Sequence, residues 1–399
     1  MGEWKEIQLS DLVDIGSSKR IFYNEYVPNG IPFYRSKEVI EKHNGKEVST
    51  ELHILVEKFN EIKSRFGAPA EGDILLTSVG TLGIPYIVQK DEVFYFKDGN
   101  LTWFRNFNQF LLNKFLYYWI ISPVGKNELD MVSIGSTQPA LTIQGLKGIT
   151  LKTPPLPEQK AIATVLLSLD DKIDLLHRQN KTLEAMAETL FRKWFVVEAQ
   201  GHWVDQSLYD SIDLIGGGTP KTSIDEYWNG NIKWISAKDT TPNHQGIITK
   251  TEKTITESGL INSSSRILPK FSTIISARGT VGNYALVGED MAFSQSNYGI
   301  KPKYEKCYFF NYLLIAHIVE ELSSAAYGSV FDTITTKTFK EQMISFPPKS
   351  EVLAFEERIK PFFFKKMNNS TQINTLEKLR DNLLPKLMNG EVRVKYDAD

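Results

Sequence analysis

Basic, amide and hydroxyl side chains occur in short clusters along the sequence. In the first half these are Lys19, Arg20, Arg35, Ser36, Lys37, Thr77, Ser78, Ser136, Thr137 and Gln138. In the second half they are Thr219, Lys221, Thr222, Ser236, Lys238, Arg278, Gln295 and Asn297. Arginine and lysine can hydrogen-bond to guanine, asparagine and glutamine to adenine, and serine, threonine and lysine to phosphates. We treat these residues as candidate DNA contacts and give priority to Arg35, Lys37, Lys221 and Arg278, although each cluster taken singly is also typical of a solvated loop.

The sequence lacks the short motifs that mark common catalytic centres. It has no GxxxxGK[ST] phosphate loop, no HExxH zinc motif and no GxSxG nucleophile elbow. The glycine-rich IGGGTP (215–220) lacks the strand–GxGxxG–helix frame of a dinucleotide site. TPPL (153–156) and FPPK (346–349) lack the Asn or Asp and the aromatic residue of an amino-methyltransferase site. One cysteine, Cys307, excludes a cysteine-based metal cluster within one chain. We therefore expect no catalytic residue, no metal ion and no cofactor in this chain.

Length and charge are ordinary for a globular protein. The 399 residues favour two or three domains. The net charge of −2, from 46 Lys+Arg and 48 Asp+Glu, argues against a chain that coats nucleic acid indiscriminately. It allows a DNA reader whose basic groups are confined to one face. The longest apolar run, near 110–121, is too short to cross a membrane, and the acidic N-terminus is not typical of a signal peptide. We expect a cytoplasmic protein with no membrane partner.

The sequence contains an internal duplication. GSTQPALTIQGLKGITLKTPPLPEQKAI (135–162) is matched by GSVFDTITTKTFKEQMISFPPKSEVL (328–353) at a constant offset of 193 positions. IPFYRSKEV (31–39) also matches IKWISAKDT (232–240), at a different offset. So long a period indicates duplicated domains rather than a solenoid. Most of the candidate contacts recur at equivalent places with different side chains, which is expected of two readers of different sequences on one scaffold.

Each half predicts a mixed α+β block followed by a long helix. ILLTSVGTLGIPYIV (74–88) and TIISARGTVGNYALV (273–287) place β-branched and aromatic residues around a Gly-Thr turn, which predicts hairpins. NQFLLNKFLYYWII (108–121) and YFFNYLLIAHIVEEL (308–322) have helical periodicity instead.

The first long helix is predicted over 158–195, a stretch without Pro or Gly. Its apolar residues recur in steps of four and three, typical of a coiled-coil seam, and polar Asn180 on this seam can fix the register. A second helix is predicted from about 349 to 389. The predicted seam comprises Ile162, Leu166, Leu169, Ile173, Leu176, Asn180, Leu183 and Leu190 on the first helix and Ile359, Ile373, Leu376 and Leu383 on the second.

We expect the two helices to pack as an antiparallel pair, because a globular block must fit between them in the chain. The alternative is two separate amphipathic helices, each packed on its own block. Pro361 and Pro385 are expected to kink or interrupt the second helix. Lys366, Asn369 and Arg380 are polar residues that fall on its predicted seam.

Four stretches resemble the DNA specificity subunit of type I restriction-modification systems. They are GxxxxxLTIxxLKxITLxxPPLPEQKAIAxxLxxLDDKI (135–173), IGGGTPKTSIDEYWNGNIKWISAKDT (215–240), GDILLTSVGTLG with FKDGNLTWF (72–104), and NLLPKLMNGEVRV (382–394). The proline-to-helix stretch is the most specific of them. The resemblance covers nearly the whole chain. It implies a pseudo-two-fold α+β fold with target recognition domains at 1–155 and 199–348, and with spacer helices at 156–198 and 349–399, the latter including the C-terminal tail.

The resemblance also implies a role and partners. Each recognition domain is expected to read one half of a split target on double-stranded DNA, while the helices set the gap and dock two methylation subunits that carry S-adenosylmethionine. Two restriction subunits, which use ATP and Mg, can join. The chain itself is expected to be non-catalytic. The alternatives are a coiled-coil interaction scaffold without DNA recognition and a DNA-acting enzyme with an unfamiliar site.

Overall fold

The computed structural model describes residues 3–135, 137–199, 201, 203–327 and 333–395. Ser136 and the first residues of the repeat that begins at Gly328 lie outside this part. The chain forms two compact units: unit 1 is Met1–Ile173 with Thr375–Asp399, and unit 2 is Asp174–Asn374. Both boundaries fall inside long helices, so each unit contains a segment of both helices.

Unit 1 contains short strands, five short helices and the start of a long helix. In chain order they are β1 (Lys5–Gln8), β2 (Asp14–Gly16), β3 (Tyr26–Val27), β4 (Ile31–Tyr34), α1 (Ser36–His43), β5 (His53–Ile54), α2 (Val56–Phe66), β6 (Ile74–Thr77), β7 (Pro85–Ile87), β8 (Tyr95–Phe96), β9 (Leu101–Arg105), α3 (Asn113–Ile121), α4 (Pro123–Val132), β10 (Ser133–Ile134), β11 (Ala140–Leu141), α5 (Ile143–Lys147), β12 (Thr150–Thr153) and α6 (Leu156–Arg192). A π-helical turn, Lys193–Val197, extends α6.

The described residues of unit 2 follow a similar order, with a single helix where unit 1 has α3 and α4. Its elements are β13 (Val204–Ser207), α7 (Leu208–Ser211), β14 (Ile212–Gly216), β15 (Trp228–Ile235), α8 (Ala237–Thr240), β16 (Ile247–Ile248), β17 (Lys253–Ile255), α9 (Glu257–Ile261), β18 (Ile267–Leu268), β19 (Thr273–Ser276), β20 (Tyr284–Val287), β21 (Met291–Phe293), β22 (Asn297–Pro302), α10 (Tyr308–Tyr327), α11 (Thr336–Glu341), β23 (Met343–Phe346) and α12 (Lys349–Met388).

The sheet topology shows the duplication. Unit 1 has a sheet in the order β2-β9-β6-β7, and unit 2 has β14-β22-β19-β20 with β16 added at the edge. The predicted hairpins are present as β6–β7 and β19–β20. In both units a parallel pair crosses between distant stretches, β4 with β8 and β15 with β21. The first strand of each unit pairs with the last strand before its long helix, β1 with β12 and β13 with β23.

The predicted α+β fold with two long helices in antiparallel contact is confirmed. In unit 1, the apolar core includes Ile162 and Leu166 of α6 together with Leu384 and Leu387 of α12. In unit 2, Phe191 near the end of α6 packs edge-on against Phe355 near the start of α12. As residue numbers rise along α6, those of the contacting residues on α12 fall, so the two helices are antiparallel. Their contact buries the apolar stripe that a lone helix would expose to water.

The expected interruption of α12 at its prolines is not found, while the expected kink stays a prediction. The helix runs without interruption from Lys349 to Met388 through Pro361 and Pro385. Each proline removes one backbone donor. Pro361 lies on the exposed side of the helix, so water can satisfy the carbonyl that the ring leaves without a partner, while packing on the other side keeps the helix continuous.

Candidate nucleic-acid interface

Four distant stretches of unit 2 meet around a pocket of about 350 Å³. They are the loop after β14, the end of β15 with the start of α8, the start of β17 and the loop after β21. The pocket is lined by Thr219, Trp234, Ser236, Ala237, Lys238, Glu252, Lys253, Ser294, Gln295 and Ser296. Four of the residues predicted from sequence, Thr219, Ser236, Lys238 and Gln295, are therefore brought together.

The glycine-rich segment after β14 positions one wall of this pocket. A Cβ on Gly217 would lie 2.3 Å from the carbonyl oxygen of Ser294, so only glycine allows the two backbones to approach this closely. The Gly218 N–H donates to the Phe293 carbonyl at 3.0 Å, and the Trp234 indole donates to the Gly218 carbonyl at 3.0 Å. The glycines of IGGGTP thus serve close backbone packing.

The polar groups of the pocket have distinct environments. Ser236 caps α8, because the Asp239 carboxylate accepts from both the Ser236 N–H (2.8 Å) and its hydroxyl (2.7 Å). Lys238 is highly exposed and its Nζ lies 3.6 Å from Glu252 Oε1, a geometry that contributes little stability. Gln295 is exposed. The pocket therefore presents an ammonium group and an amide that are free to bind a ligand.

The equivalent place in unit 1 carries different chemistry. The Arg20 guanidinium donates to Asp98 Oδ2 at 2.8 Å, joining the loop after β2 to the loop after β8. The Lys19 N–H donates to the Tyr95 hydroxyl at 2.7 Å, and its ammonium lies 5.3 Å from the Phe66 ring centroid. We name these two matching surfaces, in unit 1 around Arg20 and Arg35 and in unit 2 around the pocket, the reading faces.

Arg35 has a structural role at the edge of its reading face. It precedes α1 as Ser236 precedes α8, and its N–H donates to Glu38 Oε2 at 2.7 Å. Its Nη2 donates to Glu38 Oε1 at 2.9 Å, and this hydrogen bond raises the pKa of Arg35. The Glu38 side chain is fully buried. Arg35 Nε and the Ser36 hydroxyl are buried and have no hydrogen-bond partner within the described residues, while Lys37 is exposed.

Three predicted contacts lie inside the protein. Thr77, Ser78 and Asn297 are at most 2% exposed. Thr77 Oγ1 accepts from the Ile84 N–H at 2.9 Å, Ser78 Oγ lies 2.7 Å from Thr102 Oγ1, and Asn297 Nδ2 donates to Ser294 Oγ at 3.1 Å. Because these side chains hold strand ends together, we correct the prediction and remove them from the exposed candidate set.

The remaining candidates are exposed. Lys221, Thr222 and Arg278 are exposed in unit 2, and Thr137 and Gln138 are exposed between β10 and β11 in unit 1. The Ala277 N–H donates to the Ser296 carbonyl at 2.8 Å, which places Arg278 next to the pocket loop.

Sequence reasoning missed Glu252 and Lys253 in unit 2 and Asp98 in unit 1. Lys253 reaches the pocket because β17 pairs with β15 so that Lys253 lies opposite Trp234. That pairing is long-range, and nothing in the local sequence indicates it. Asp98 lies in FKDGNLTWF, a stretch whose resemblance to the specificity subunits gives no role to this residue.

The predicted helix seam is largely apolar and buried. Ile162, Leu166, Ile173, Leu176, Ile359 and Ile373 are buried, and Leu169, Leu183, Leu190, Leu376 and Leu383 are half-buried. In the first part of α12 the rings of Phe355 and Phe363 are buried, whereas the neighbouring Phe362 is only partly buried. In unit 1, Arg393 after α12 donates from Nη2 to the buried Glu158 Oε2 at 2.6 Å, which attaches the tail to the start of α6.

Each polar residue predicted on the α12 seam has a polar partner on α6. Arg380 Nη1 donates to Asp170 Oδ1 at 3.0 Å in unit 1. In unit 2, Asn369 Nδ2 donates to Asn180 Oδ1 at 2.9 Å, and Lys366 forms an ion pair with Glu184. Polar pairs of this kind favour one register of the helices over others.

A broad groove of about 1020 Å³ lies on the helix pair within unit 2. Its apolar part includes Ala185, Met186, Leu190 and Phe362, and Met186 is 47% exposed. The cations on its border are Arg178, Lys181 and Arg358. An apolar strip with a positive border can take an amphipathic helix with acidic flanks.

Within the described residues, no group of three or more His, Cys, Asp or Glu side chains is placed to hold a metal ion. None of the described helices has the length and apolar character needed to cross a membrane.

Comparisons with known proteins agree with this arrangement. The model of the type I restriction modification DNA specificity domain matches twice, at residues 1–185 and 201–380. The chain is 24% identical to the type I restriction enzyme HindI specificity subunit of Haemophilus influenzae, over 98% of this chain and 100% of that protein. It is 26% identical to the MjaIX specificity subunit of Methanocaldococcus jannaschii, over 98% and 94%.

The fold is similar to the crystal structure of a type I restriction-modification S subunit from M. genitalium, with a TM-score of 0.63, 16% identity and 96% of each chain covered. The specificity-domain match extends over both α+β blocks, which does not support the alternative of a coiled-coil scaffold without DNA recognition. With two copies of the specificity domain, two matching reading faces and a polar-paired helix seam, the chain belongs to the family of type I restriction-modification DNA specificity subunits.

Proposed function

We propose that this chain selects a bipartite, asymmetric DNA sequence, with the reading face of each unit recognising one half. The observation that supports this most directly is that both faces occupy the same place in a duplicated fold but present different side chains. In unit 1 the loops after β2 and β8 present Arg20 bonded to Asp98, whereas in unit 2 the loops after β14 and β21 present Thr219 and Gln295. A guanidinium, a hydroxyl and an amide have different hydrogen-bonding preferences at base edges.

The helix pair would set the gap between the half-sites. Its polar partners favour one register, which suits a spacer of fixed length. The groove beside Met186 would dock a helix of a methylation subunit, and the cations on its border favour acidic residues on that helix. We propose two methylation subunits per chain and, in the complete restriction complex, two restriction subunits.

The catalytic steps would be carried out by these partner subunits. S-adenosylmethionine would be bound by the methylation subunits, and ATP and magnesium by the restriction subunits, while this chain acts without catalysis of its own in the cytoplasm. The chain's residues would place the methylation subunits on their target adenine by binding the DNA around it.

Methylation mapping tests this function. The chain is co-expressed with its methylation subunits in a host that lacks adenine methylation, and long-read sequencing identifies methylated motifs. The expected result is one gapped motif with two different halves. A host genome without any new gapped motif, despite a complex purified from the same cells, would reject the proposal.

Single substitutions then assign the half-sites. Arg20→Ala should relax the sequence preference in one half and Arg278→Ala in the other, each by about 1–3 kcal/mol if the side chain contacts a base. Both residues are exposed, so neither change should unfold the protein. Arg35→Ala is a poor probe, because it would leave the buried Glu38 carboxylate without its cation. Relaxation of the same half by both variants would contradict the assignment of one face to each half.

A further inference from the structure

A tyrosine, a carboxylate and a cation form a buried triad in unit 2. The Tyr312 hydroxyl, on α10, donates to Glu184 Oε1 at 2.6 Å, and Lys366 of α12 pairs with the other oxygen of Glu184. Lys366 Nζ also donates to the Gln245 carbonyl at 2.7 Å. The Gln245 N–H in turn donates to the Tyr284 carbonyl at the start of β20. Four elements are thereby joined: both long helices, α10 and the five-stranded sheet.

A triad of the same kind occurs in unit 1. The Tyr118 hydroxyl, on α3, donates to Asp170 Oδ2 at 2.6 Å, while Arg380 of α12 donates to Asp170 Oδ1 at 3.0 Å. Burial, together with the hydrogen bond to Asp170, raises the pKa of Tyr118 well above its ordinary value, so the phenol stays protonated and can donate. Helices α3 and α10 are equivalent in the duplication, and each contributes a tyrosine to its unit's triad, while α6 supplies the carboxylate and α12 the cation in both units.

The triads are better suited to fixing an orientation than to adding stability. Apolar burial is non-directional, and the core around Phe310 and Phe355 already holds α10 against the helix pair. A buried ion pair adds little net stability because desolvation offsets the attraction. Hydrogen bonds, however, weaken steeply outside a narrow range of distance and angle. A shift of the α+β block on the helices would therefore break the triad before it disturbed the apolar contacts.

We infer that the Tyr118–Asp170–Arg380 and Tyr312–Glu184–Lys366 triads are positioning residues that fix the orientation of each α+β block on the helix pair, and thereby the gap that the protein accepts between half-sites. The inference rests on the proposed bipartite recognition. It separates two properties of the protein: the reading faces select the half-site sequences, and the triads select the distance between them.

The test compares gap preference with half-site preference. The complex with methylation subunits is prepared with Tyr118→Phe, Tyr312→Phe or both, and with Tyr117→Phe as the control. Tyr117 neighbours Tyr118 on α3, but among the described residues its hydroxyl makes a 3.5 Å contact with His43 Nδ1 and no hydrogen bond to Asp170. Binding is measured on duplexes that carry the mapped half-sites with the mapped gap, or with one base pair more or fewer. A second series changes one base in each half-site.

The double variant should lose about tenfold of its discrimination against the wrong gaps, equivalent to about 1.4 kcal/mol. Its discrimination between half-site bases should be unchanged, and the control should match the parent protein in both series. A folded variant that keeps the parent's gap discrimination would overturn the inference. If Tyr312→Phe by itself destabilises unit 2, the gap discrimination of the Tyr118→Phe variant decides the test, because the triad in unit 1 is only partly buried. A parent complex that binds all gaps equally would instead overturn the bipartite function.

Discussion

The ion pair between Lys366 and Glu184 allows a quantitative test of the helix seam. Their side chains are 6% and 14% exposed. Lys366→Met would leave the Glu184 carboxylate buried with the Tyr312 hydroxyl as its donor, and an uncompensated buried charge costs about 3–5 kcal/mol. The Gln245 carbonyl would also lose its donor. For a unit of this size, that loss corresponds to a fall in Tm of about 10 °C.

The double variant distinguishes coupling from simple damage. Glu184→Met together with Lys366→Met removes both charges and restores an apolar contact of similar volume. It should cost only about 1–3 kcal/mol, which is the penalty for the unpartnered Tyr312 hydroxyl and Gln245 carbonyl. The losses of unfolding free energy in the two single variants, added together, should therefore greatly exceed the loss in the double variant.

The measurement is differential scanning calorimetry of the purified chain at pH 7, analysed as a double-mutant cycle. The exposed pair Asp174–Arg178, at 2.9 Å on the surface of α6, is the matched control and should give a coupling of about 0.5 kcal/mol or less. If the Glu184–Lys366 cycle gave a coupling as small as that of the control, the buried pair would not hold the seam.

Three other outcomes are expected. Burial raises the pKa of Glu356 to about 7 from 4.5, so the folded state favours its protonated form. The stability that this provides is full below pH 4.5 and is lost as the pH rises through 7, and the Tm of Glu356→Gln should lack this decline between pH 5 and 8. Gly217→Ala should destabilise unit 2 by about 1–3 kcal/mol through its clash with the backbone, whereas the Tm of Gly216→Ala, whose Cβ meets nothing within 4 Å, should be nearly unchanged. Replacing both Asn180 and Asn369 with Leu should raise the free energy of unfolding in urea by about 1 kcal/mol or more, because Asn369 Oδ1 is buried without a hydrogen-bond partner in the described residues.

The fold was predictable from the sequence because its signals are local or repeated. Apolar residues that recur at spacings of four and three over 158–195 predict a helix with one buried stripe. The structure has α6 at Leu156–Arg192. The matched stretches of the two halves indicate that whatever fold the first block forms, the second block forms again. Neither signal depends on knowing which distant residues touch.

The reading faces were only partly predictable, because they depend on contacts across the sequence. Thr219, Ser236 and Gln295 meet because β15 pairs in parallel with β21, and no local pattern specifies that pairing. Thr77 and Asn297 resembled solvated loop residues, yet they are buried at strand ends where their side chains complete the hydrogen bonding. Polarity in the sequence does not distinguish a group that faces water from one that satisfies a buried partner.

The charges on the helix seam also bear on which helices pair. In both units α6 supplies the acid, Asp170 or Glu184, and α12 supplies the base, Arg380 or Lys366. An antiparallel pair made from two copies of α6 would bring carboxylates to its seam from both sides without a cation, and two copies of α12 would do the same with cations. Like charges desolvated together cost more than an opposite pair in the same place. The distribution of charge therefore favours the pairing of α6 with α12 over pairing of either helix with its own copy, and that pairing joins a helix that follows one recognition domain to a helix that follows the other.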